Sequence, residues 1–348
     1  MYDVKMASRA ELEGLLRELG QPAFRAGQIE RWLLRGATDF TEMSDLPASL
    51  RSALAERCEI SRLCPLRRSE SADGTVKFLW ELFDRETVET VVMQYQHGNT
   101  VCISTQVGCR QGCAFCASTR GGLRRNLSAF EMYDEVLMSG RESGLKISNV
   151  VLMGIGEPLE NLDNVLGFFS LLGRKDGLDI GMRHISLSTC GPEGGIERLA
   201  EHKLQLTLSV SLHAPNDELR SRLMPVNRKS GGVEKLVARC NAYREATGRR
   251  VSYEYLLADG VNDSDADAEA LARLIRGSDA HVNLIPLNRV DGAMLEPSPP
   301  QRVESFKRTL ERRGVNVTVR RRMGADIDAA CGQLRMRTQN SQSGGEKP

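Results

Sequence analysis

The chain has 348 residues, of which 41% are hydrophobic and 27% charged, and its net charge is +1. This describes an ordinary soluble protein with one large domain and a smaller one, and it excludes a global electrostatic attraction to nucleic acid. No apolar run reaches the ~18–20 residues of a membrane span, and the N-terminus has no apolar signal core. Nine cysteines without such a signal indicate a reducing cytoplasm.

Residues 1–60 are predicted to form a helical accessory domain. Ser8 and Glu11 have the spacing of a capping box, and leucines follow them at helical intervals. Two further helices are predicted over 23–34 and 48–57. Several arginines recur on this module, which is therefore either an RNA-docking domain or a packing appendage.

Residues 61–106 are predicted to form a β-rich hairpin extension, with strands over 76–83, 87–94 and 100–105. In residues 107–323, strands then alternate with helices. The strands are predicted over 149–153, 184–190, 205–213, 250–257, 281–287 and 316–322, and the helices over 129–142, 162–174, 195–202, 233–247, 266–276 and 301–313.

This alternation predicts an α/β fold with parallel strands and crossover helices. Six units favour a (β/α)6 partial barrel, although periodicity alone also allows an open doubly wound sheet. Catalytic groups are expected at the C-terminal ends of the strands. Residues 324–348 form a C-terminal segment whose tail is expected to be disordered.

Three cysteines, Cys109, Cys113 and Cys116, have C-x3-C-x2-C spacing in a glycine-containing loop. A four-iron cluster needs one ligand at each iron, so three thiolates leave the fourth iron open to a small molecule. The spacing resembles the signature of the radical S-adenosylmethionine (SAM) enzymes, and Phe115 fits its aromatic position. A structural zinc site would require two ligand pairs, a disulfide framework suits a short secreted chain, and inert buried thiols fit poorly beside glycines.

Longer motifs extend this resemblance from about residue 22 to residue 334. Cys102 precedes the cluster loop, and Cys331 lies in the segment MGADIDAACGQLR. The other motifs are VETV at 88–91, MGIGEPLENLDN at 153–164, SLSTCG at 186–191, SVSLHAPND at 209–217 and NLIPLN at 283–288. With these motifs the chain resembles the RlmN/Cfr-type RNA methyltransferases.

The resemblance implies methylation of an adenine ring carbon, which is too poor a nucleophile for direct methyl transfer. It implies that Cys331 takes a methyl group from one SAM, and that a second SAM, cleaved at a single 4Fe-4S cluster, yields the radical that activates this methyl group. Glu89 matches the family's proton acceptor. Cys102 matches the resolving cysteine, which forms a transient disulfide with Cys331 and releases the RNA.

The resemblance also assigns SAM contacts to residues that follow predicted strands. These residues are Gly156, Glu157, Ser188, Ser211, Leu212, His213 and Asn288. Glu157 is suited to accept hydrogen bonds from the SAM ammonium group. Cys190, Cys58, Cys64 and Cys240 match no motif and are interpreted as packing residues.

The implied substrates are 23S rRNA, at the peptidyl transferase centre, and an anticodon-loop adenine in tRNA. RNA phosphates could be contacted by Arg120, Arg124, Arg125 and the run 320–322. A reductase or flavodoxin-type electron donor, a cytoplasmic location, no membrane partner and a monomeric state are expected. Three alternatives stay open: a Cfr-type C8 methyltransferase that confers antibiotic resistance, a radical SAM enzyme with a non-RNA substrate, and a non-enzymatic metal-binding RNA module.

Overall fold

The computed structural model of the chain describes residues 2–288, 295–329 and 333–334. The N-terminal module contains, in order, β1 (Tyr2–Asp3), α1 (Arg9–Glu18), α2 (Arg25–Leu34), α3 (Ala48–Arg57) and β2 (Cys58–Glu59). The capping box at Ser8 and Glu11 is confirmed, with both reciprocal hydrogen bonds formed. The three helices pack around an apolar core of their own, and β1 pairs in parallel with β2.

An antiparallel meander follows the module. Its strands are β3 (Cys64–Glu70), β4 (Val76–Glu81), β5 (Thr87–Tyr95) and β6 (Gly98–Cys102). Strand β3 was not predicted, because its sequence CPLRRSE is mostly polar and lacks alternation. It lies at the edge of the sheet with most of its side chains exposed, so burial imposes no pattern on it.

The rest of the chain builds the parallel half of the fold. A two-stranded ribbon of β7 (Gln106–Gly108) and β8 (Leu123–Asn126) comes first. The later strands are β9 (Ile147–Leu152), β10 (Ile185–Thr189), β11 (Thr207–Ser211), β12 (Val251–Leu257), β13 (His281–Pro286) and β14 (Asn316–Val319). The helices are α4 (Ala129–Ser143), α5 (Leu162–Leu172), α6 (Gly195–Glu201), α7 (Asp217–Leu223), α8 (Asn227–Ser230), α9 (Val233–Thr247), α10 (Asp265–Leu274) and α11 (Pro300–Arg312).

One ten-stranded sheet joins the two halves, in the order β14-β13-β12-β11-β10-β9-β6-β5-β4-β3. Strands from β6 to β14 in this order are parallel, whereas β3 to β6 are antiparallel, so β6 belongs to both halves. The predicted α/β class and the six strand–helix units are confirmed. Within the described residues the edge strands β3 and β14 do not pair, so the sheet remains open.

The main apolar core lies between this sheet and the crossover helices. Helix α4, which follows the cysteine loop, also contacts the N-terminal module. The Tyr133 hydroxyl of α4 donates to the Leu34 carbonyl oxygen at 2.9 Å. A second contact with the module is made by Arg174, which follows α5 and pairs with Glu30 at the same distance. In the described part of the chain, none of the helices has both the length and the apolar character needed to cross a bilayer.

Candidate active site

The signature cysteines lie in a loop that the β7–β8 ribbon closes at its base. The Cys109 amide donates to the Gly122 carbonyl oxygen at 3.0 Å. Gly108 has a φ of 76°, and a Cβ there would lie only 1.9 Å from the Gly122 carbonyl oxygen, so this position requires glycine. The Ala114 amide donates to the Leu223 carbonyl oxygen of α7 at 2.9 Å. Backbone contacts therefore define the shape of the loop.

All three cysteines line one cavity, here called the cluster cavity, of about 890 Å³ including solvent at its mouth. This volume suits a cofactor-sized ligand. Five of the seven residues predicted to contact SAM line the same cavity: Gly156, Glu157, Ser188, Ser211 and His213. They come from the C-terminal ends of β9, β10 and β11, where parallel strands present ligand groups.

The donor set of the cluster cavity fits an iron–sulfur cluster. Burial raises the pKa of Cys109 to about 12 and also raises the pKa of Cys113. A thiolate at these positions is costly unless a metal stabilises it. Among the described residues, no three cysteine, histidine or carboxylate side chains converge on a single ion. A cluster that takes one cysteine per iron does not require them to do so. No two described cysteines are joined by a disulfide.

Glu157 is held rigidly in the wall of the cluster cavity. Its carboxylate accepts hydrogen bonds from the Thr189 hydroxyl at 2.7 Å, the Cys190 amide at 2.8 Å and the Leu159 amide at 3.0 Å. Burial raises the pKa of Glu157, although these hydrogen bonds act in the opposite direction. The preceding Gly156 has a φ of 113°, and a Cβ there would lie 2.7 Å from two neighbouring side chains.

His213 adopts a left-handed backbone conformation with a φ of 57° and is buried. Its Nδ1 accepts a hydrogen bond from the Leu256 amide at 2.9 Å, so the neutral ring carries its proton on Nε2. The ring meets Phe115 edge-on, with 4.8 Å between the centroids. Burial, assisted by the nearby charge of Arg220, lowers the pKa of His213 to about 3. His213 is therefore neutral at physiological pH.

Arg220 of α7 supports the candidate site from behind, and the sequence did not reveal this role. Its fully buried guanidinium donates to the carbonyl oxygens of Cys190 at 2.8 Å, Ser211 at 2.9 Å and Leu212 at 3.1 Å, and to the Asn227 side chain at 2.9 Å. It thus ties the ends of β10 and β11 together behind the cluster cavity. Leu212, predicted as a SAM contact, is fully buried in the core and supplies one of these carbonyl groups.

Cys102 lines a second cavity, here called the thiol cavity, of about 540 Å³. Met153, Ile285 and Arg320 line both this cavity and the cluster cavity, so the two share a wall. Asn288, the remaining predicted SAM contact, lines the thiol cavity.

Cys331 lies outside the described residues, but residue 329 before it and residues 333–334 after it are described. Ala329 and Leu334 both line the thiol cavity and pack in one apolar cluster with Cys102. The hydroxyl of Ser118, which follows the last signature cysteine, donates to the Leu334 carbonyl oxygen at 2.7 Å. The C-terminal segment is therefore in contact with both the cluster loop and the cavity of Cys102.

Glu89 opens into a neighbouring pocket, lined also by Lys77 and residues 326–328. Its carboxylate is buried and lies 3.6 Å from the Lys77 ammonium group. In strand β5, Glu89 points to the same side as Val91, two residues later, which lines the thiol cavity and pairs with Cys102. The predicted proton acceptor and resolving cysteine thus face the same side of the sheet.

The predicted RNA-contacting arginines differ in their surroundings. Arg125 is engaged within the protein, because it donates to Asp84 at 2.6 Å and to both carboxylate oxygens of Glu131 at 2.8 and 2.9 Å. Arg124 is exposed. The side chains of the run 320–322 line the thiol cavity.

Comparisons with known proteins agree with this site. A sequence profile of the radical SAM superfamily matches residues 103–272, and one of the ribosomal RNA large subunit methyltransferase N-terminal domain matches residues 3–60. A probable dual-specificity RNA methyltransferase RlmN from Desulforamulus reducens is 49% identical over 95% of both chains. A relative of the same name from Pelotomaculum thermopropionicum is 52% identical over 96% of this chain and 91% of its own.

The fold agrees as well. The crystal structure of a radical SAM methyltransferase from Sphaerobacter thermophilus matches with a TM-score of 0.89 and 45% identity, over 96% of this chain and 99% of that one. Both matched profiles, the near-complete coverage and the convergence of three cysteines with the strand ends lead to one conclusion. The chain belongs to the RlmN family of radical SAM methyltransferases.

Proposed function

We propose that this protein methylates C2 of one adenine in 23S rRNA, at the peptidyl transferase centre, and of an anticodon-loop adenine in tRNA. One observation supports the proposal above all: the cavity of the three signature cysteines shares a wall with the cavity of Cys102. A wall shared by the two cavities suits a reaction in which a methyl group is activated beside the cluster and then released by the thiol of Cys102. The relatives' name, dual-specificity RNA methyltransferase RlmN, agrees with two RNA substrates.

Cys109, Cys113 and Cys116 would hold one 4Fe-4S cluster, and SAM would bind beside it. Gly156, Glu157, Ser188, Ser211 and His213 surround this space, and Asn288 borders it from the thiol cavity. Together the cluster and SAM supply a radical that can remove a hydrogen atom from a methyl group. His213 is neutral, and hydrogen bonds already fix the side chains of His213 and Glu157. Both residues would therefore orient SAM from fixed positions.

Two cysteines and one carboxylate would carry the methyl group to the RNA. Cys331 would take the methyl group from the first of two SAM molecules used per turnover. After the activated carbon has joined C2 of the adenine ring, one electron would return to the oxidised cluster, and Glu89 would accept the proton that leaves C2. The Cys102 thiolate would then attack the sulfur of Cys331, forming a disulfide and breaking the sulfur–carbon bond, and the released carbon would take up a proton to become the methyl group of the RNA.

RNA would approach the C-terminal ends of the parallel strands, where the cluster loop lies. The exposed Arg120 belongs to this loop, the exposed Arg124 lies in β8 at the base of the loop, and the run 320–322 lines the thiol cavity. We propose that residues 1–60 dock RNA, in keeping with the matched N-terminal domain of ribosomal RNA methyltransferases. A splayed-out adenine would reach the thiol cavity most easily.

The remaining proposals concern the surroundings of the enzyme. A reductase or flavodoxin-type protein would donate the electrons, and the enzyme would act as a monomer in the cytoplasm. Co-purification of a flavodoxin under anaerobic conditions tests the electron donor, and mass determination of the native protein tests the monomeric state. Cell fractionation tests the third.

Nucleoside mass spectrometry tests the proposed reaction. The anaerobically reconstituted protein should convert unmodified 23S rRNA and tRNA to products containing 2-methyladenosine. Formation of 8-methyladenosine would instead establish the Cfr-type alternative. SAM cleavage without methylation of either RNA would favour a non-RNA substrate.

The two thiol variants test the assigned roles. Cys331→Ala should form neither a methylated RNA nor an adduct. Cys102→Ala should accumulate protein joined covalently to RNA, visible on a denaturing gel as a band that collapses after ribonuclease digestion. Cys240→Ala, which removes a buried packing thiol, serves as the control and should turn over normally. Normal turnover by Cys102→Ala without an adduct would refute the paired-cysteine mechanism.

A further inference from the structure

Residues 324–328 make a set of long-range contacts that the proposed chemistry does not explain. The Gly324 amide donates to the Asp73 carboxylate at 2.9 Å. The Asp326 carboxylate accepts from the Ser71 hydroxyl at 2.5 Å and from the Ala72 amide at 3.2 Å. All of these partners lie in the turn between β3 and β4, more than 250 positions earlier in the chain.

A fourth contact is made by strand β4. The Lys77 ammonium group donates to the Asp328 carbonyl oxygen at 2.9 Å, and the same group lies 3.6 Å from the Glu89 carboxylate. Lys77 is buried, so its charge-assisted hydrogen bond is shielded from competition by water. It therefore joins the C-terminal segment directly to the residue proposed to accept the proton.

The turn and the segment also fit each other sterically. Gly324 has a φ of 62°, and a Cβ there would lie 2.9 Å from the Thr75 side chain and 2.7 Å from the Ala329 side chain. Asp73 also accepts a hydrogen bond from the Thr75 amide at 2.9 Å. Burial opposes ionisation of Asp73, but hydrogen bonds led by that from the Gly324 amide outweigh it and lower the pKa to about 2. Asp73 is therefore an ionised acceptor throughout the physiological range.

These contacts lie close in sequence to Cys331, the proposed methyl carrier. They end three residues before Cys331, and Ala329 already lies in the wall of the thiol cavity. From Asp328 to residue 331 the chain can extend at most about 10 Å, since each residue spans no more than ~3.3–3.6 Å. Fixing Asp328 thus limits how far the carrier cysteine can move from Cys102 and Glu89.

We propose that the β3–β4 turn and the start of β4 form a clamp, made of Ser71, Asp73 and Lys77, that positions the C-terminal segment for methyl transfer. This inference rests on the proposed function, because it gives Cys331 the carrier role. The clamp residues are positioning residues, since they act on the segment and not on SAM or RNA. Without the clamp, the radical chemistry would proceed while the carrier is poorly placed, and SAM cleavage would become uncoupled from methylation.

Two variants and one matched control test the clamp in the full-length, cluster-loaded enzyme. Asp326→Ala and Asp73→Ala each remove hydrogen bonds between the turn and the segment. The control is Asp265→Ala on the outer helices, where the carboxylate likewise accepts a serine hydroxyl from another element, that of Ser305, at 2.8 Å. Amide hydrogen exchange is measured on peptides that span residues 320–334, together with RNA methylation and 5′-deoxyadenosine release.

Exchange in that segment should rise about ten-fold in Asp326→Ala and in Asp73→Ala, the effect of losing one or two net hydrogen bonds, and stay unchanged in the control. The number of 5′-deoxyadenosine molecules released per methylated adenine should rise by a similar factor, while the KM for SAM and the iron content stay constant. Unchanged exchange would refute the clamp, and faster exchange with unchanged coupling would reduce it to a structural contact. A wild-type enzyme that methylates no RNA would instead refute the proposed function, since exchange is measured without turnover.

Discussion

The ammonium group of Lys5 lies 2.6 Å from the carboxylate of Asp134, and both side chains are almost completely buried. Lys5 belongs to the N-terminal module, whereas Asp134 lies on α4, the helix that follows the cysteine loop. The module is therefore joined to the catalytic half by a buried charge pair. Deleting residues 1–60 would leave Asp134 without this partner, so truncation is a poor test of RNA docking.

Lys5→Met should destabilise the protein by about 3–5 kcal/mol, because it leaves a buried carboxylate without its counter-charge. Replacing both partners, with Lys5→Met and Asp134→Leu, should restore most of the stability. Arg308→Met, which breaks an exposed pair with Glu304, is the control and should cost less than about 1 kcal/mol. Urea unfolding curves measure all three. Equal effects of Lys5→Met and Arg308→Met would contradict the buried-pair interpretation.

Cys113→Ala should abolish the cluster, because the two remaining thiolates leave a second iron without its protein ligand. Cys190→Ala is the matched control, since Cys190 lines the same cavity but belongs to no ligand motif. Iron, sulfide and visible charge-transfer absorbance are measured after anaerobic purification. Stoichiometric zinc in the wild-type protein, or loss of iron in the control, would refute the assignment.

Arg220→Met should destabilise the protein by about 3 kcal/mol or more, because it removes a buried side chain that donates to the carbonyl oxygens of Cys190, Ser211 and Leu212. It should also raise the KM for SAM, since those carbonyl groups lie at strand ends that line the cluster cavity. Arg222→Met, on the exposed side of the same helix, should change neither quantity. A destabilised Arg220→Met variant with an unchanged KM would confine Arg220 to a structural role.

His213 should remain neutral down to acidic pH, because burial lowers its pKa to about 3. Between that value and the model-compound pKa of about 6.5, the unfolded chain binds a proton that the folded chain does not. The contribution of His213 to stability is therefore complete above about pH 6.5 and declines as the pH falls toward 3. Histidine proton resonances, assigned with His213→Asn, should show no titration of His213 between pH 5 and 8. A midpoint near 6.5 would contradict its burial.

The sequence predicted those elements whose residues are patterned by burial. The six later strands and their helices alternate because each strand is covered by a helix, so apolar runs mark them. The capping box at Ser8 was readable because its partner, Glu11, lies three residues away. Strand β3 escaped prediction because an exposed edge strand needs no apolar pattern.

Among the site residues, those marked by a local sequence pattern were predicted, and those defined by tertiary contacts were missed. Cysteine spacing is local and therefore readable, as are the polar residues that end each strand. Arg220 was missed because its partners lie on other elements and its helix has only seven residues. Asp73 and Lys77 were missed for the same reason, since only the tertiary structure brings them to residues 324–328. Arg125 was predicted on charge alone, which cannot reveal that two carboxylates already bind it.

The tight neck of the cysteine loop, where Gly108 meets Gly122, bears on how the enzyme is made. The hydrogen bonds of the neck and of the contact between Ala114 and Leu223 are formed by peptide groups, and no cysteine thiol takes part in them. The cysteine loop can therefore fold before iron binds. Cluster assembly can then follow translation as a separate maturation step. An enzyme bleached by oxygen would then need only fresh iron, sulfide and reductant for repair, with no refolding of the chain.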